Sequence, residues 1–161
     1  MEHLMERSDQ LGLTVIRRAL PPGIRGEYWH EKKLIVLSVS LTGRQEKSTF
    51  AHELGHAHYG HCVPGACRGD RNRQELQAND YAAKLLIAPG DYAAAEKIYG
   101  THTESIAYHL GVTPAIVRAW RSLWKRRLSA QFSSPRHSDV VRVESFALPG
   151  GQNRNHAERA N

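Results

Sequence analysis

The sequence predicts an α+β fold, in which a small, mainly antiparallel sheet packs on two successive helices and a helical pair follows at the C-terminal end. Three observations lead to this prediction. Short apolar segments lie between turn signals in the N-terminal quarter, a His-Glu-x-x-His pattern begins at His52, and an Ala- and Leu-rich segment follows it. A chain of 161 residues is long enough for one domain with a core and a tail. We therefore expect a domain over residues 1–128 and a disordered tail over residues 129–161.

The N-terminal part is expected to form one helix and the sheet. Residues 2–11 have a thin apolar stripe and end at Gly12, which is typical of a helix terminus. Strands are predicted over residues 13–18, 25–30 and 34–39. The Pro21-Pro22-Gly23 turn separates the first two strands, and residues 31–33 are short enough to join the last two strands as a hairpin.

The segment around His52 carries the chemistry. In a helix, His52 and His56 lie one turn apart on the same face, so their imidazoles form half of a tetrahedral zinc site. Glu53 lies about 100° around the helix from His52, where it can hold an activated water without binding the metal itself. Gly60 is at the position of a helix C-terminal glycine. An apolar stripe can anchor this helix in the core; it consists of Phe50, Leu54 and Ala57.

A third metal ligand is expected on the next helix, which is predicted over residues 73–87. Glu75 and Asn79 share one face of that helix with Ala78 and Ala82, and these small residues allow close approach to the first helix. We therefore expect Glu75 to complete the ligand set. Asn79, one turn further, is expected to hydrogen-bond a ligand and orient it.

This combination resembles the ImmA/IrrE family of bacterial and phage metallo-endopeptidases, which are small gluzincin-like proteases. The resemblance covers about residues 10–125 and rests on the HExxH segment and on the later residues Glu75, Ala78, Asn79, Tyr81, Ala82 and Ala83. It implies a minimal zincin-like domain that hydrolyses a peptide bond in a specific regulatory protein, commonly a helix-turn-helix repressor of a phage, mobile element or stress response. It also suggests that the strand at 34–39 is the sheet edge that holds the substrate. Where many members have an acidic residue, this chain has Gln77.

The expected chemistry is zinc-dependent peptide hydrolysis. A zinc ion held by His52, His56 and Glu75 keeps its fourth position open for water. Glu53 is expected to take the proton of that water and to pass it to the leaving nitrogen. Tyr59 and Tyr81 are alternatives as donors to the oxyanion, although each is equally typical of a core aromatic, so that role stays unassigned.

Two further histidines near the motif are not expected to bind the metal. The metzincin pattern would need glycine at position 59 and histidine at position 62, where this chain has Tyr59 and Cys62. We therefore interpret His61 as a helix-terminal residue or a residue that orients a ligand, and His58 as uninvolved. Cys62 and Cys67 are expected to be free thiols in a reducing compartment, with a local disulfide as the alternative.

The C-terminal helices are predicted over residues 91–99, 103–110 and 113–127. The last two, within 103–128, resemble a helix-turn-helix, and the second of them carries five basic residues: Arg118, Arg121, Lys125, Arg126 and Arg127. These side chains could meet phosphates, and the net charge of +6 permits it. An alternative function is therefore a DNA- or protein-binding regulator that uses the zincin fold as a scaffold, and another is an antitoxin-like partner that acts by binding alone. We favour a helical pair that only closes the core.

Location and the tail complete the expectations. No apolar run approaches the length of a membrane span, and the acidic N-terminal residues do not resemble a signal peptide, so we expect a cytoplasmic protein without membrane contact. In the tail, residues 140–146 could form a strand if another surface pairs with them.

Overall fold

The computed structural model describes residues 1–62 and 70–133 of the chain. In these ranges the chain forms six helices and three strands, in the order α1 Glu2–Gln10, β1 Thr14–Arg18, β2 Gly26–Trp29, β3 Leu34–Ser38, α2 Gly43–His58, α3 Arg71–Leu86, α4 Pro89–Tyr99, α5 Thr103–His109 and α6 Pro114–Ser133. None of these helices is long and apolar enough to cross a membrane. The predicted α+β architecture of a small zincin-like domain is confirmed.

The sheet is mixed, instead of mainly antiparallel as predicted. Its strand order is β1-β3-β2, with β3 parallel to β1 and antiparallel to β2. The hairpin between β2 and β3 is present as expected. After the linker over residues 19–25, β2 does not pair with β1. Strand β3 lies between them and pairs with both. The expectation that the third strand is the substrate-binding edge is therefore wrong, because both sides of β3 are already paired. The edges are β1 and β2.

Helix α2 begins at a capping box and is anchored by apolar side chains. Thr42 and Gln45 exchange the two hydrogen bonds of the box, and the helix begins at Gly43. Phe50 and Leu54 are fully buried against a core that includes Ile35 and Leu37 of β3. The opposite face of α2 is left for the polar residues of the motif.

Helices α2 and α3 pack closely through two small residues. A Cβ atom added at Gly55 would lie 2.8 Å from both the Cα and the carbonyl oxygen of Ala78, which is closer than real Cβ contacts. Only hydrogen fits between the two backbones at this point. Ala82 and Ala83 of α3 are fully buried as well. The expected close approach of the two helices is therefore present, and Gly55 and Ala78 set it.

The C-terminal helical pair is joined to α2. The backbone N–H of Thr113, just before α6, donates a 3.0 Å hydrogen bond to the hydroxyl of Ser48, which is almost fully buried. Val117 and Trp120 of α6 belong to the buried core. Helix α6 continues to Ser133, beyond the predicted end at 127 and five residues past the predicted domain boundary at 128. The remaining tail, with the strand candidate at 140–146, lies outside the described residues.

Two of the basic residues on α6 have partners within the domain. The Arg121 guanidinium donates to the Tyr92 hydroxyl, to the Thr101 carbonyl and to the Thr103 hydroxyl at 2.6 to 3.1 Å. Arg126 forms a bidentate pair with Asp80 of α3, both bonds measuring 2.6 Å. These contacts fasten α6 to α3, α4 and α5, which agrees with the interpretation that the pair closes the core.

Candidate metal centre

Three side chains from α2 and α3 converge on one point. The Nε2 atoms of His52 and His56 are 3.0 Å apart. The carboxylate of Glu75 lies 3.3 Å from Nε2 of His52 and 3.8 Å from Nε2 of His56. All three candidate ligand atoms are within 4.8 Å of one another. The structure therefore brings together the three residues that the sequence identified as metal ligands.

The spacing of these atoms fits a zinc ion. Two Zn–N bonds of about 2.0 to 2.1 Å at a tetrahedral angle separate their nitrogens by roughly 3.4 Å, and a carboxylate oxygen in the third position lies at a similar distance. The observed separations of 3.0, 3.3 and 3.8 Å bracket that value. A set of two imidazoles and one carboxylate is also the donor set of catalytic zinc sites.

The outer nitrogens of both imidazoles are hydrogen-bonded on the side away from Glu75. Nδ1 of His52 lies 3.1 Å from Oδ1 of Asn79. Since a carbonyl oxygen can only accept, Nδ1 of His52 carries a hydrogen, and in the neutral ring Nε2 has its lone pair toward Glu75. Asn79 is therefore at the place expected for a residue that orients this ligand. Nδ1 of His56 lies 3.0 Å from Nδ1 of His61.

Burial and the neighbouring charges shift the pKa values of all three candidate ligands. Burial lowers the pKa of His52, but the hydrogen bond that its protonated ring donates to the Glu75 carboxylate and the negative charge of Glu53 outweigh burial, so that its pKa is raised overall. Burial and the neighbouring His52 lower the pKa of His56 to about 4. The hydrogen bond with His52 lowers the pKa of Glu75. The site thus favours one positive charge between the two imidazoles and the carboxylate.

Glu53 is buried beside the ligand set. Its side chain is 7% exposed, and burial raises its pKa to about 7. It faces β2, because a Cβ atom added at Gly26 would be 3.0 Å from Oε1 of Glu53 and 2.6 Å from Cγ2 of Thr49. The absent side chain at Gly26 therefore leaves space for the carboxylate between helix and strand. A carboxyl group with a pKa near neutrality can both accept and return a proton.

A cleft of about 950 Å³ opens over these residues. Edge strand β2 forms one wall with Gly26, Glu27, Tyr28 and Trp29, and the start of α6 forms another with Thr113, Ala115 and Ile116. Glu53 and the three candidate ligands lie in its floor. The strand that borders the cleft is thus β2, which within the described residues is paired on one side only.

Three residues that the sequence analysis considered near the site do not line the cleft: Tyr59, Tyr81 and His58. The Tyr81 hydroxyl accepts a 2.9 Å hydrogen bond from Arg7. Tyr28 lines the cleft instead, with its hydroxyl 3.1 Å from Nδ1 of His30. His58 is exposed on the helix, where its ring lies edge-on to Tyr59 and tilted against Tyr81.

The cysteine expectation differs from the structure. Cys62 borders the cleft and is disulfide-bonded, whereas free thiols were expected. A local bridge is the alternative that the short spacing of the two cysteines in the sequence allows. The expectation of free thiols rests on a reducing compartment alone. Cys67 lies outside the described residues.

His61 lies where the sequence interpretation of a helix-terminal or ligand-orienting residue puts it, but its contact with Gln77 was not foreseen. His61 is 8% exposed, and it lies between His56 and Gln77, whose Oε1 is 3.2 Å from Nε2 of His61. The position of His61 directly after the helix-ending Gly60 was the available signal, since such a residue folds back over the last helical turn.

Comparison with protein families agrees with this geometry. The model of the Peptidase_M78 family, described as the IrrE N-terminal-like domain, matches residues 8–119. The match includes both helices that carry the candidate ligands and extends to the start of α6. A comparison with curated proteins gives no match.

Proposed function

The chain belongs to the Peptidase_M78 family of IrrE N-terminal-like domains, and on this basis we propose that it is a zinc-dependent endopeptidase that cuts a specific regulatory protein. Membership of the family indicates a metallopeptidase. The site and the cleft support the further proposal that it acts as an endopeptidase on one regulator.

One observation carries the proposal. The lone pair of His52 Nε2, the neighbouring Nε2 of His56 and the carboxylate of Glu75 meet beside Glu53, a buried carboxyl group that is not among the three. A structural zinc site is closed by four protein ligands, whereas a catalytic site has three and keeps one position open. Within the described residues the donor set is of the second kind.

Zinc, when bound, supplies Lewis-acid polarisation of the scissile carbonyl and acidifies the attacking water. Glu53 accepts a proton from the water as its oxygen bonds to the carbonyl carbon. When the carbon–nitrogen bond breaks, Glu53 returns that proton to the leaving nitrogen. Its burial between α2 and Gly26 of β2 protects the proton from solvent during the two steps.

The substrate is proposed to bind as an added strand along β2. This strand borders the cleft, and its outer edge makes no pairing with β1 or β3. An extended peptide there satisfies the free backbone groups of β2 and places a peptide bond over the floor of the cleft. We assign the Tyr28 hydroxyl as donor to the developing oxyanion, since Tyr28 belongs to the same strand and lines the cleft.

The substrate class remains part of the proposal. The resemblance of the motif residues implies a helix-turn-helix repressor of a phage, mobile element or stress response, in the cytoplasm. A cleft with one strand edge and a second wall from α6 suits an extended segment of a protein partner. The competing proposal of a DNA-binding regulator is weaker, because Thr113, Ala115 and Ile116 at the start of α6 face the cleft.

Metal content and cleavage test the proposal together. Wild-type protein purified without added metal is expected to contain about one zinc per chain by mass spectrometry, and E75A much less. E53Q is expected to keep the zinc but to lose cleavage of a co-expressed helix-turn-helix repressor encoded beside the protein. E46Q is the matched control, since Glu46 lies on the same helix in an ion pair with Arg17. Failure of wild type to bind added zinc, or cleavage by E53Q at the wild-type rate, would overturn the proposal.

A further inference from the structure

The C-terminal end of α2 has the geometry of a Schellman motif. Gly60 has a φ of +64°, and its N–H donates to the carbonyl of Ala57. The N–H of His61 donates to the carbonyl of His56 at 2.9 Å. These are the two backbone bonds of the motif, and they fold the residue after the glycine back over the last turn of the helix.

The same two residues also meet through their side chains. Because the backbone of His61 is held to the backbone of His56, the two rings meet edge-on, at a centroid distance of 5.1 Å. Their Nδ1 atoms are 3.0 Å apart, and Nε2 of His61 lies 3.2 Å from Oε1 of Gln77 on α3. His61 is thus fixed by α2 through its backbone and by α3 through its ring.

The direction of these hydrogen bonds follows from the amide. The Oε1 atom of Gln77 can only accept, so Nε2 of His61 carries the hydrogen. In a neutral His61, Nδ1 is then an acceptor, and it receives the Nδ1–H of His56. The remaining nitrogen of His56, Nε2, has a free lone pair and faces His52 and Glu75. Each step in the chain determines the next one.

We propose that His61 is a positioning residue for the metal ligand His56, acting with Gln77 to hold the tautomer and the ring orientation in which Nε2 binds the metal. The proposal rests on the metal site of the proposed function. It also gives Gln77 a function, because its amide oxygen accepts from Nε2 of His61 and so leaves Nδ1 of His61 facing Nδ1 of His56. His61 is then the hydrogen-bond partner of Nδ1 of His56, as Asn79 is the partner of Nδ1 of His52.

Zinc affinity, measured by competition with a chromophoric chelator, tests this role. Loss of an orienting partner costs about 10- to 100-fold in metal affinity. We expect H61L to bind zinc about 100-fold more weakly than wild type and Q77L about 10-fold more weakly. The double variant should equal H61L, because Gln77 acts through His61. H61N, whose amide oxygen can accept at the position of Nδ1, should bind zinc almost as tightly as wild type.

The matched control is H58L, the same substitution at an exposed histidine in the last turn of the same helix. It should bind zinc like wild type. A second readout reports the hydrogen bond itself: in zinc-loaded, ¹⁵N-labelled protein, the Nδ1–H of His56 should give a slowly exchanging proton signal that persists in H61N and is lost in H61L.

The outcomes separate this inference from the proposed function. If wild type binds no zinc, the metal site itself is refuted. If wild type binds zinc but H61L binds it as tightly as H58L does, only the role of His61 is refuted. Equal losses in H61N and H61L, with both folded by circular dichroism, also refute it, because an acceptor at that position then has no effect. If H61L fails to fold, Q77L provides the test. A zinc affinity of Q77L equal to that of wild type would then refute the proposed hydrogen-bond series from Gln77 through His61 to His56.

Discussion

Replacement of Gly55 by alanine should weaken zinc binding although Gly55 has no ligand atom. The added Cβ would lie 2.8 Å from the backbone of Ala78, about 0.6 Å short of the 3.4 Å at which ordinary contact begins. Backbone atoms cannot rotate away, so α3 must shift by a similar amount. Glu75 lies on α3 one turn before Ala78 and moves with it. Metal–ligand distances tolerate only about 0.2 Å.

The magnitude follows from two opposing terms. Alanine in a helix interior is favoured over glycine by about 1 kcal/mol, whereas overpacking of a well-packed contact costs about 1 to 3 kcal/mol. We therefore expect G55A to lower the free energy of unfolding of the metal-free protein by about 1 kcal/mol and its zinc affinity by about 10-fold. Urea denaturation in the presence of a chelator measures the first quantity, and chelator competition measures the second.

G43A is the matched control for this prediction. Gly43 is the first residue of the same helix, and a Cβ atom added there meets no atom within 4 Å. G43A should keep the zinc affinity of wild type and should be equally or more stable. If G55A bound zinc as tightly as G43A did and unfolded at the same urea concentration, close packing of α2 on α3 would not be what positions Glu75.

Three further predictions concern the floor and wall of the cleft. Burial raises the pKa of Glu53 from 4.5 to about 7. The folded metal-free protein therefore binds this proton more tightly than the unfolded chain does. The stability that follows is complete below pH 4.5 and is lost as the pH rises through 7. E53Q should therefore raise the free energy of unfolding of metal-free protein by up to about 3 kcal/mol more at pH 8.5 than at pH 4; equal urea midpoint shifts at both pH values would contradict this. Y28F should lower kcat for the repressor by about 100-fold with little change in zinc content, and an unchanged kcat would remove Tyr28 from the mechanism. N79A should reduce zinc affinity by about 10- to 100-fold. Chelator competition measures this affinity, and a value equal to that of wild type would contradict the prediction.

The parts of the structure that depend on neighbouring residues were predictable from the sequence. The i, i+4 spacing of His52 and His56 determines their common face, and the alanines of α3 indicate the close approach that brings in Glu75. The glycine at position 60 gave the C-terminal limit of α2 correctly. These features follow from helix geometry, which is local.

Features that depend on distant pairings were not predictable in the same way. Each strand was located, but the insertion of β3 between β1 and β2 depends on which edges meet, and strand periodicity contains no such information. The oxyanion donor stayed unassigned for the same reason: helical spacing could not show that the Tyr81 hydroxyl contacts Arg7, or that Tyr28 on an edge strand borders the cleft. The contact between His61 and Gln77 needed both the turn at Gly60 and the packing of α3.

The two walls of the cleft come from opposite ends of the domain. One wall is built by residues 26–29 and the other by Thr113, Ala115 and Ile116, while the metal-binding residues lie between them in the sequence. During synthesis, the ribosome releases both ligand-bearing helices before it releases the start of α6. A nascent chain at that stage has the candidate metal ligands but only one wall of the cleft. Completion of the second wall therefore sets the earliest moment at which the cleft can hold an extended peptide between its two walls.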